Sequence, residues 1–304
     1  MSWTFELVAG PYASALAGVA PLGDAEGGGV VFSLTMESRL LHLDARGQVS
    51  DWRRFTSRTG GLAEGPHGLL YGCQEASRRV CEFLPDGSAA VTATTLAGKY
   101  HNHPSDATVD SSGRVWFCDP HNAMPAFGPQ MFPTLPWAAV MRVARGPNHR
   151  WGMERLTHDT LHPRALALSP DEKTLYVAEG NTAPDSRREL RAYPVHADGS
   201  LGSYRVLATF GADHRGPHRG IEGLCVDSEG HVVACGGWQR SGPGPLVQVF
   251  SPTGAVIESH ALPDDLPMRC AFAGPDRDLL YVSSGTGRLW RVTGTGRKGF
   301  ARFP

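Results

Sequence analysis

One pattern recurs six times along this 304-residue chain. A turn carrying Gly or Pro-Asp leads into a short β run, a second turn, and another β run that ends in an Asp or Gly turn. The first runs are Gly29 to Ser33, Gly68 to Gly72, Arg114 to Cys118, Thr174 to Ala178, His231 to Cys235 and Leu279 to Ser283. Their central residues Phe32, Tyr71, Trp116, Tyr176, Val233 and Tyr281 stand 39 to 60 residues apart. Alternating segments follow at Arg39 to Leu43, Arg79 to Phe83, Ala138 to Val143, Glu189 to Tyr193, Leu246 to Phe250 and Arg288 to Arg291. An apolar segment precedes each first run, clearest in Ala165 to Leu168 and Gly223 to Val226. Each unit thus holds three or four antiparallel strands of propeller-blade length, and six units predict an all-β, six-bladed β-propeller forming one domain over 1–304.

The last unit ends soon after Arg291, while Thr4 to Val8 is β-like and precedes the first. The N-terminal strand is expected to complete the last blade and so cover an edge that would otherwise invite pairing with other chains. Helical periodicity is missing over any stretch of about 11 residues, which argues against a parallel α/β fold. Pro120 to Pro136, rich in Pro, Phe and Met, fits no strand and is expected to be a loop over one face of the channel.

With 41% hydrophobic and 19% charged residues the chain is globular, and a formal charge of −1 supplies no field for nucleic acid or an anionic membrane. The expected partner is a small molecule. Met1 to Gly10 lacks the basic and apolar regions of a secretory signal, and no apolar run approaches about 18 residues, so a soluble, cytoplasmic protein is expected. The six cysteines, at 73, 81, 118, 225, 235 and 270, lack CxxC spacing and read as buried free thiols.

Three stretches carry a resemblance: Asn102 to Asp106 leading into Val109 to Pro120, Leu168 to Asp171 before Leu175-Tyr176-Val177, and Cys270 to Pro275 before Leu280-Tyr281-Val282. With the repeats, they make the chain resemble the gluconolactonase, regucalcin and luciferin-regenerating-enzyme family over nearly its whole length. That resemblance implies a six-bladed propeller hydrolysing sugar lactones with a divalent metal at the channel. It also exposes departures. Where the family has a ligand Glu in Glu-Gly-Pro, this chain reads Val19-Ala20-Pro21; the family's Arg-Pro-Asn-Asp becomes His103-Pro104-Ser105-Asp106; its ligand Asn becomes Arg164; its ligand and presumed base Asp becomes Glu222. A guanidinium supplies no oxygen ligand and repels a cation, so calcium, which takes about six to eight oxygens, is disfavoured.

The starts of the inner strands are dense in His and charge: His101, His103, His162, Arg164, His214, His218, Arg219, Glu222 and Arg269. Two readings stay open. In one, His103, His162, His218 and Glu222 bind one divalent transition metal (Zn, Mn, Fe or Cu) in a lactone hydrolase. In the other no metal is present; Arg164 and Arg269, with Asn102 and Trp238, hold the substrate, while Glu222 or His103 moves a proton in an isomerase, lyase or cyclase of an anionic metabolite. Ser105 beside His103 is a weaker candidate nucleophile, and Glu222 can equally be only the ion-pair partner of Arg164. A non-catalytic, ligand-binding propeller is the third reading. Asp106, Asp110 and Asp171 are expected to fix turns, Trp116, Tyr176 and Tyr281 to pack blades, and Trp137 and Trp238 to wall a pocket.

Overall fold

A computed structural model describes residues 2–23, 28–121 and 134–303. Six four-stranded antiparallel sheets follow one another along the chain. Blade I comprises Leu16–Pro21, Val30–Leu34, Arg39–Leu43 and Val49–Arg54; blade II, Thr59–Glu64, Leu70–Gln74, Arg79–Phe83 and Ala89–Val91; blade III, Asp106–Val109, Val115–Asp119, Ala139–Arg145 and Trp151–Arg155. Blade IV comprises Pro163–Leu168, Thr174–Glu179, Glu189–Pro194 and Arg205–Thr209; blade V, Ile221–Val226, Val232–Gly236, Leu246–Phe250 and Val256–Ala261; blade VI, Pro267–Ala273, Leu279–Ser284, Leu289–Thr293 and the N-terminal Thr4–Ala9. The innermost strands touch in cyclic order, I to VI and back to I, so they surround a central channel. The six-bladed propeller read from the repeats is therefore the fold, and the N-terminal strand closes blade VI by pairing with Leu289–Thr293.

Successive side chains of a strand point to opposite faces, and here both faces of every blade are covered. In blade I, Val30, Phe32 and Leu34 pack against blade VI, whereas Val31 packs against blade II. The same division gives six apolar cores, one in each gap between neighbouring blades. Burial on both faces explains why the second strands read as unbroken apolar runs. Trp116, Tyr176 and Tyr281 are buried in these gaps, as the sequence suggested.

Two features go beyond the repeat. Short hairpins, Thr95–Leu96 with Lys99–Tyr100 and Ala212–Asp213 with Gly216–Pro217, lie between blades II and III and between IV and V, and lengthen those intervals. The C-terminal residues 297–303 also strap across one end of the channel. Arg297 is bound to Asp227 at 2.7 Å and to Glu258, the Ser228 N–H donates to the Lys298 carbonyl, and Arg302 pairs with Glu172. Phe300 and Phe303 pack against the IV–V and II–III cores. Above the strap lies a cavity of about 170 Å³ lined by the innermost strands of all six blades. Among the described residues no helix is long and apolar enough to cross a membrane. Of the expected loop Pro120 to Pro136, residues 122–133 lie outside the described residues.

If closure by the N-terminal strand holds the ring together, deleting residues 2–9 leaves Leu289–Thr293 as an open edge. We expect the calorimetric transition to fall by roughly 10 °C or more, since each kcal/mol lost moves the midpoint of a chain this long by about 2–4 °C. An unchanged transition would show that the other blade contacts suffice.

Candidate functional site in the propeller channel

The site is built on one backbone irregularity repeated in every blade. Where each innermost strand enters its sheet, two of its residues oppose a single residue of the second strand, a β-bulge that re-aims side chains. The pairs are Ala17-Gly18 against Ser33, Gly60-Gly61 against Cys73, Arg164-Ala165 against Ala178, Glu222-Gly223 against Cys235 and Met268-Arg269 against Ser283. In blade III, Ser105 donates its N–H to the Cys118 carbonyl while Asp106 pairs with Cys118. The opposing residues Ser33, Cys73, Cys118, Ala178, Cys235 and Ser283 are all small and buried. The glycines are required by close approach: a Cβ at Gly18, Gly61 or Gly223 would strike the backbone of the next blade's bulge. The ring position of blade I is therefore Ala17-Gly18; Val19-Ala20-Pro21, matched to it from sequence, lies just beyond. Neither segment carries a carboxylate.

Arg269, expected from the sequence to bind substrate, is engaged with the main chain of the ring. Its buried guanidinium spans the ring and donates to the carbonyl oxygens of Glu222, Met268 (3.2 Å), Ser105 (3.4 Å) and Arg164 (3.0 Å), so four blades share one cation. Its Nε lies 3.4 Å from Asp106 Oδ1. Asp106, expected to fix a turn, is instead a buried ring residue, and burial pushes its carboxyl up to about 6 despite Arg269 beside it. Asp110 and Asp171 do cap turns, accepting from the backbone of Ser112 and Arg114 and of Lys173.

Arg164 and Glu222, on equivalent bulges of blades IV and V, form a direct ion pair. Glu222 is buried, with Arg219 Nη2 3.5 Å from its second oxygen. Burial alone would raise this carboxyl, but Arg164, Arg219 and Arg269 outweigh it and hold Glu222 below the usual carboxylate range. Arg219 is spent on the carbonyls of Pro267 (2.8 Å) and Gly237 (3.2 Å), whereas the Arg164 side chain stays 38% exposed.

The segment before blade III forms the second polar group. Asp119 accepts the Asn102 N–H at 2.7 Å and lies 3.3 Å from His101 Nδ1; Asn102 Nδ2 donates to the carbonyls of Asp119 and Trp137. Arg78 donates to the carbonyls of His101 and Asn102. Asp119 and Arg78 escaped the sequence reading, although Asp119 directly follows a small ring residue, Cys118. Four buried atoms here have no hydrogen-bond partner among the described residues: His101 Nε2, Asn102 Oδ1 and both ring nitrogens of His103. Burial lowers the His103 pKa, which favours the neutral imidazole.

Other candidates stand apart. The Ser105 hydroxyl is 3.2 Å from the Arg164 carbonyl, to which it donates, and no imidazole engages it. His162 is half-buried and its backbone N–H binds Glu179. His218 Nε2 lies 3.9 Å from Asp213, already paired with Arg215, and His214 is exposed. Trp238 is half-buried, its indole N–H donating to Ser241 at 2.7 Å; Trp137 stacks on Arg155. Among the described residues no three His, Cys, Asp or Glu side chains gather closely enough to hold a metal ion, so His103, His162, His218 and Glu222 do not form one site. The ring's two carboxylates, Asp106 and Glu222, are both paired with arginines, and with the partly exposed guanidinium of Arg164 they do not fit a divalent cation.

Because Arg269→Ala would leave Asp106 buried without its counter-ion and four carbonyls without a donor, we expect a loss of about 3–5 kcal/mol. Millimolar guanidinium, but not urea, should recover part of the thermal midpoint; a midpoint equal to wild type would refute the central-cation role.

A profile described as "SMP-30/Gluconolactonase/LRE-like region" matches residues 18–286. The gluconolactonase of Zymomonas mobilis is 24% identical over 229 residues, 74% of this chain and 60% of that protein. The 6-deoxy-6-sulfogluconolactonase of Pseudomonas putida is 28% identical over 63% of this chain and 57% of its own length. The match therefore spans about three fifths of these curated relatives. A solved gluconolactonase of Xanthomonas campestris superposes with a TM-score of 0.78 and 27% identity over 96% of this chain and 89% of that one.

Proposed function

The chain belongs to the SMP-30/Gluconolactonase/LRE-like family, and on that premise we propose that it hydrolyses a lactone at the channel ring, with Arg164 in place of a metal ion. The ion pair of Arg164 with Glu222 on equivalent bulges carries this reading. Opening a cyclic ester requires a positive group where charge develops on the carbonyl oxygen, a base for the attacking water, and a proton for the departing ring oxygen. Arg164 supplies the first: its guanidinium is partly exposed, permanently charged, and fixed by a buried carboxylate. Glu222, held ionised by three arginines, is a poor base and serves as the counter-ion that orients Arg164. His103 is the proposed base. Neutral and uncommitted among the described residues, it takes a proton from water as the hydroxyl adds to the carbonyl, then returns it to the ring oxygen as the C–O bond breaks, giving a hydroxy acid.

A panel of aldonolactones, followed by proton release before and after chelation, tests this reading. Turnover should survive metal stripping, and Arg164→Gln should lower kcat by roughly 100-fold, the usual cost of losing one donor to an oxyanion. Activity that disappears on chelation and returns with a divalent ion would overturn the metal-free mechanism and restore a metal-assisted one. A His103 pKa below its ordinary 6.5 means that the active neutral form is lost as pH falls through that lower value. The acid limb of kcat/KM should lie below pH 6.5 and vanish in His103→Gln; an unchanged profile would remove His103 from the mechanism.

The exposed guanidinium also favours a second reading, proton transfer on a carboxylate-bearing metabolite without hydrolysis, since Arg binds carboxylates in bidentate fashion. Solvent deuterium entering an otherwise unchanged substrate, with no ring opening, would select it.

A further inference from the structure

Two thiols from different blades lie side by side below the ring. Cys225, on the innermost strand of blade V, and Cys270, on that of blade VI, have their sulfurs 3.5 Å apart. Cys225 is the one cysteine of the six that is not fully buried, and both residues line the cavity above the C-terminal strap. Cys270 is enclosed, its sulfur also 3.4 Å from the Val233 carbonyl. Nothing in the lactone chemistry uses either group.

We propose that Cys225 and Cys270 form an oxidation site at which a peroxide converts the two thiols into a disulfide joining blades V and VI. The Cys225 sulfur attacks one peroxide oxygen; the O–O bond breaks, leaving a sulfenic acid on Cys225 and releasing water. The Cys270 sulfur then attacks the Cys225 sulfur, the S–O bond breaks, and the hydroxyl leaves as a second water with the Cys270 proton. Two thiols are oxidised by two electrons in all, and hydrogen peroxide is reduced to two waters.

Geometry assigns the roles. The accessible Cys225 meets the oxidant first, whereas Cys270 is enclosed and its sulfur, 3.5 Å from that of Cys225, is placed to resolve the sulfenic acid once it gives up its proton to the departing hydroxyl. The sulfurs must close from 3.5 Å to about 2.05 Å to form the bond. Placement gives the bond a consequence: Cys270 follows Arg269, and Cys225 lies three residues after Glu222, so the bridge would stiffen the strands whose contact fixes the ring.

The test is peptide mapping of the full chain after a few equivalents of hydrogen peroxide, with free thiols alkylated under denaturing conditions before non-reducing digestion. The expected result is loss of two of the six thiols, a linked peptide pair containing Cys225 and Cys270, and full reversal by dithiothreitol. Cys81→Ser should behave as wild type, while Cys225→Ser should keep all its thiols. Six alkylated thiols at a peroxide dose that oxidises an accessible control thiol would overturn the proposal, as would a link from Cys270 to Cys235 or between chains. The wild-type map decides the matter without any variant and independently of lactonase activity.

Discussion

Four blades of this propeller are tied to one buried guanidinium. Arg269 collects the carbonyls of Ser105, Arg164, Glu222 and Met268, and the Asp106 carboxylate stands beside it. The carbonyl oxygens of Ser105, Arg164, Glu222 and Met268 converge on this guanidinium, and unpaired oxygens there would carry a desolvation penalty. A cation fixed to the chain satisfies them and places two of the residues it holds, Arg164 and Glu222, in a defined relation. The pair thus rests on a structural arginine.

That arrangement sets the chemistry available. With Ala17 and Gly60 on the first two bulges, two ring positions offer no side-chain donor, and the carboxylate of the fifth is neutralised by arginines. Arg164 stands partly exposed on the blade IV bulge, and its carbonyl accepts from Ser105, the last residue of the polar segment Asn102 to Ser105, which holds buried nitrogens and an oxygen with no partner among the described residues. In the proposed mechanism the partly exposed guanidinium of Arg164 receives the electron-rich oxygen of a lactone carbonyl. Two of the relatives are named as lactonases, and the proposal differs from a metal-assisted opening in how that carbonyl is activated.

The fold was legible because a blade repeats its own pattern: second strands such as Thr174–Glu179 and third strands such as Arg79–Phe83 fall where the alternating apolar runs put them. The N-terminal closing strand was legible from the missing fourth strand of the last unit. The C-terminal strap was not, because it pairs with no strand and is held by ion pairs of Arg297 and Arg302 across more than 100 residues in the latter case. At the site, the equivalent positions of Arg164 and Glu222 in successive blades were legible, and their ion pair was one of the alternatives the sequence left open. The fate of Arg269 did not, since its partners are main-chain carbonyls, which leave no mark in a sequence. One overlooked signal was local: the penultimate residue of each second strand is small, Ser33, Cys73, Cys118, Ala178, Cys235 and Ser283, and each marks a bulge.

In the proposed mechanism the ring is a site for anionic oxygen rather than for a cation. Isothermal titration of the metal-stripped wild-type protein with calcium, manganese and zinc measures this most directly. The structure predicts no saturable one-to-one binding to Glu222; a stoichiometric site that disappears in Glu222→Gln and strengthens in Arg164→Asn would contradict it.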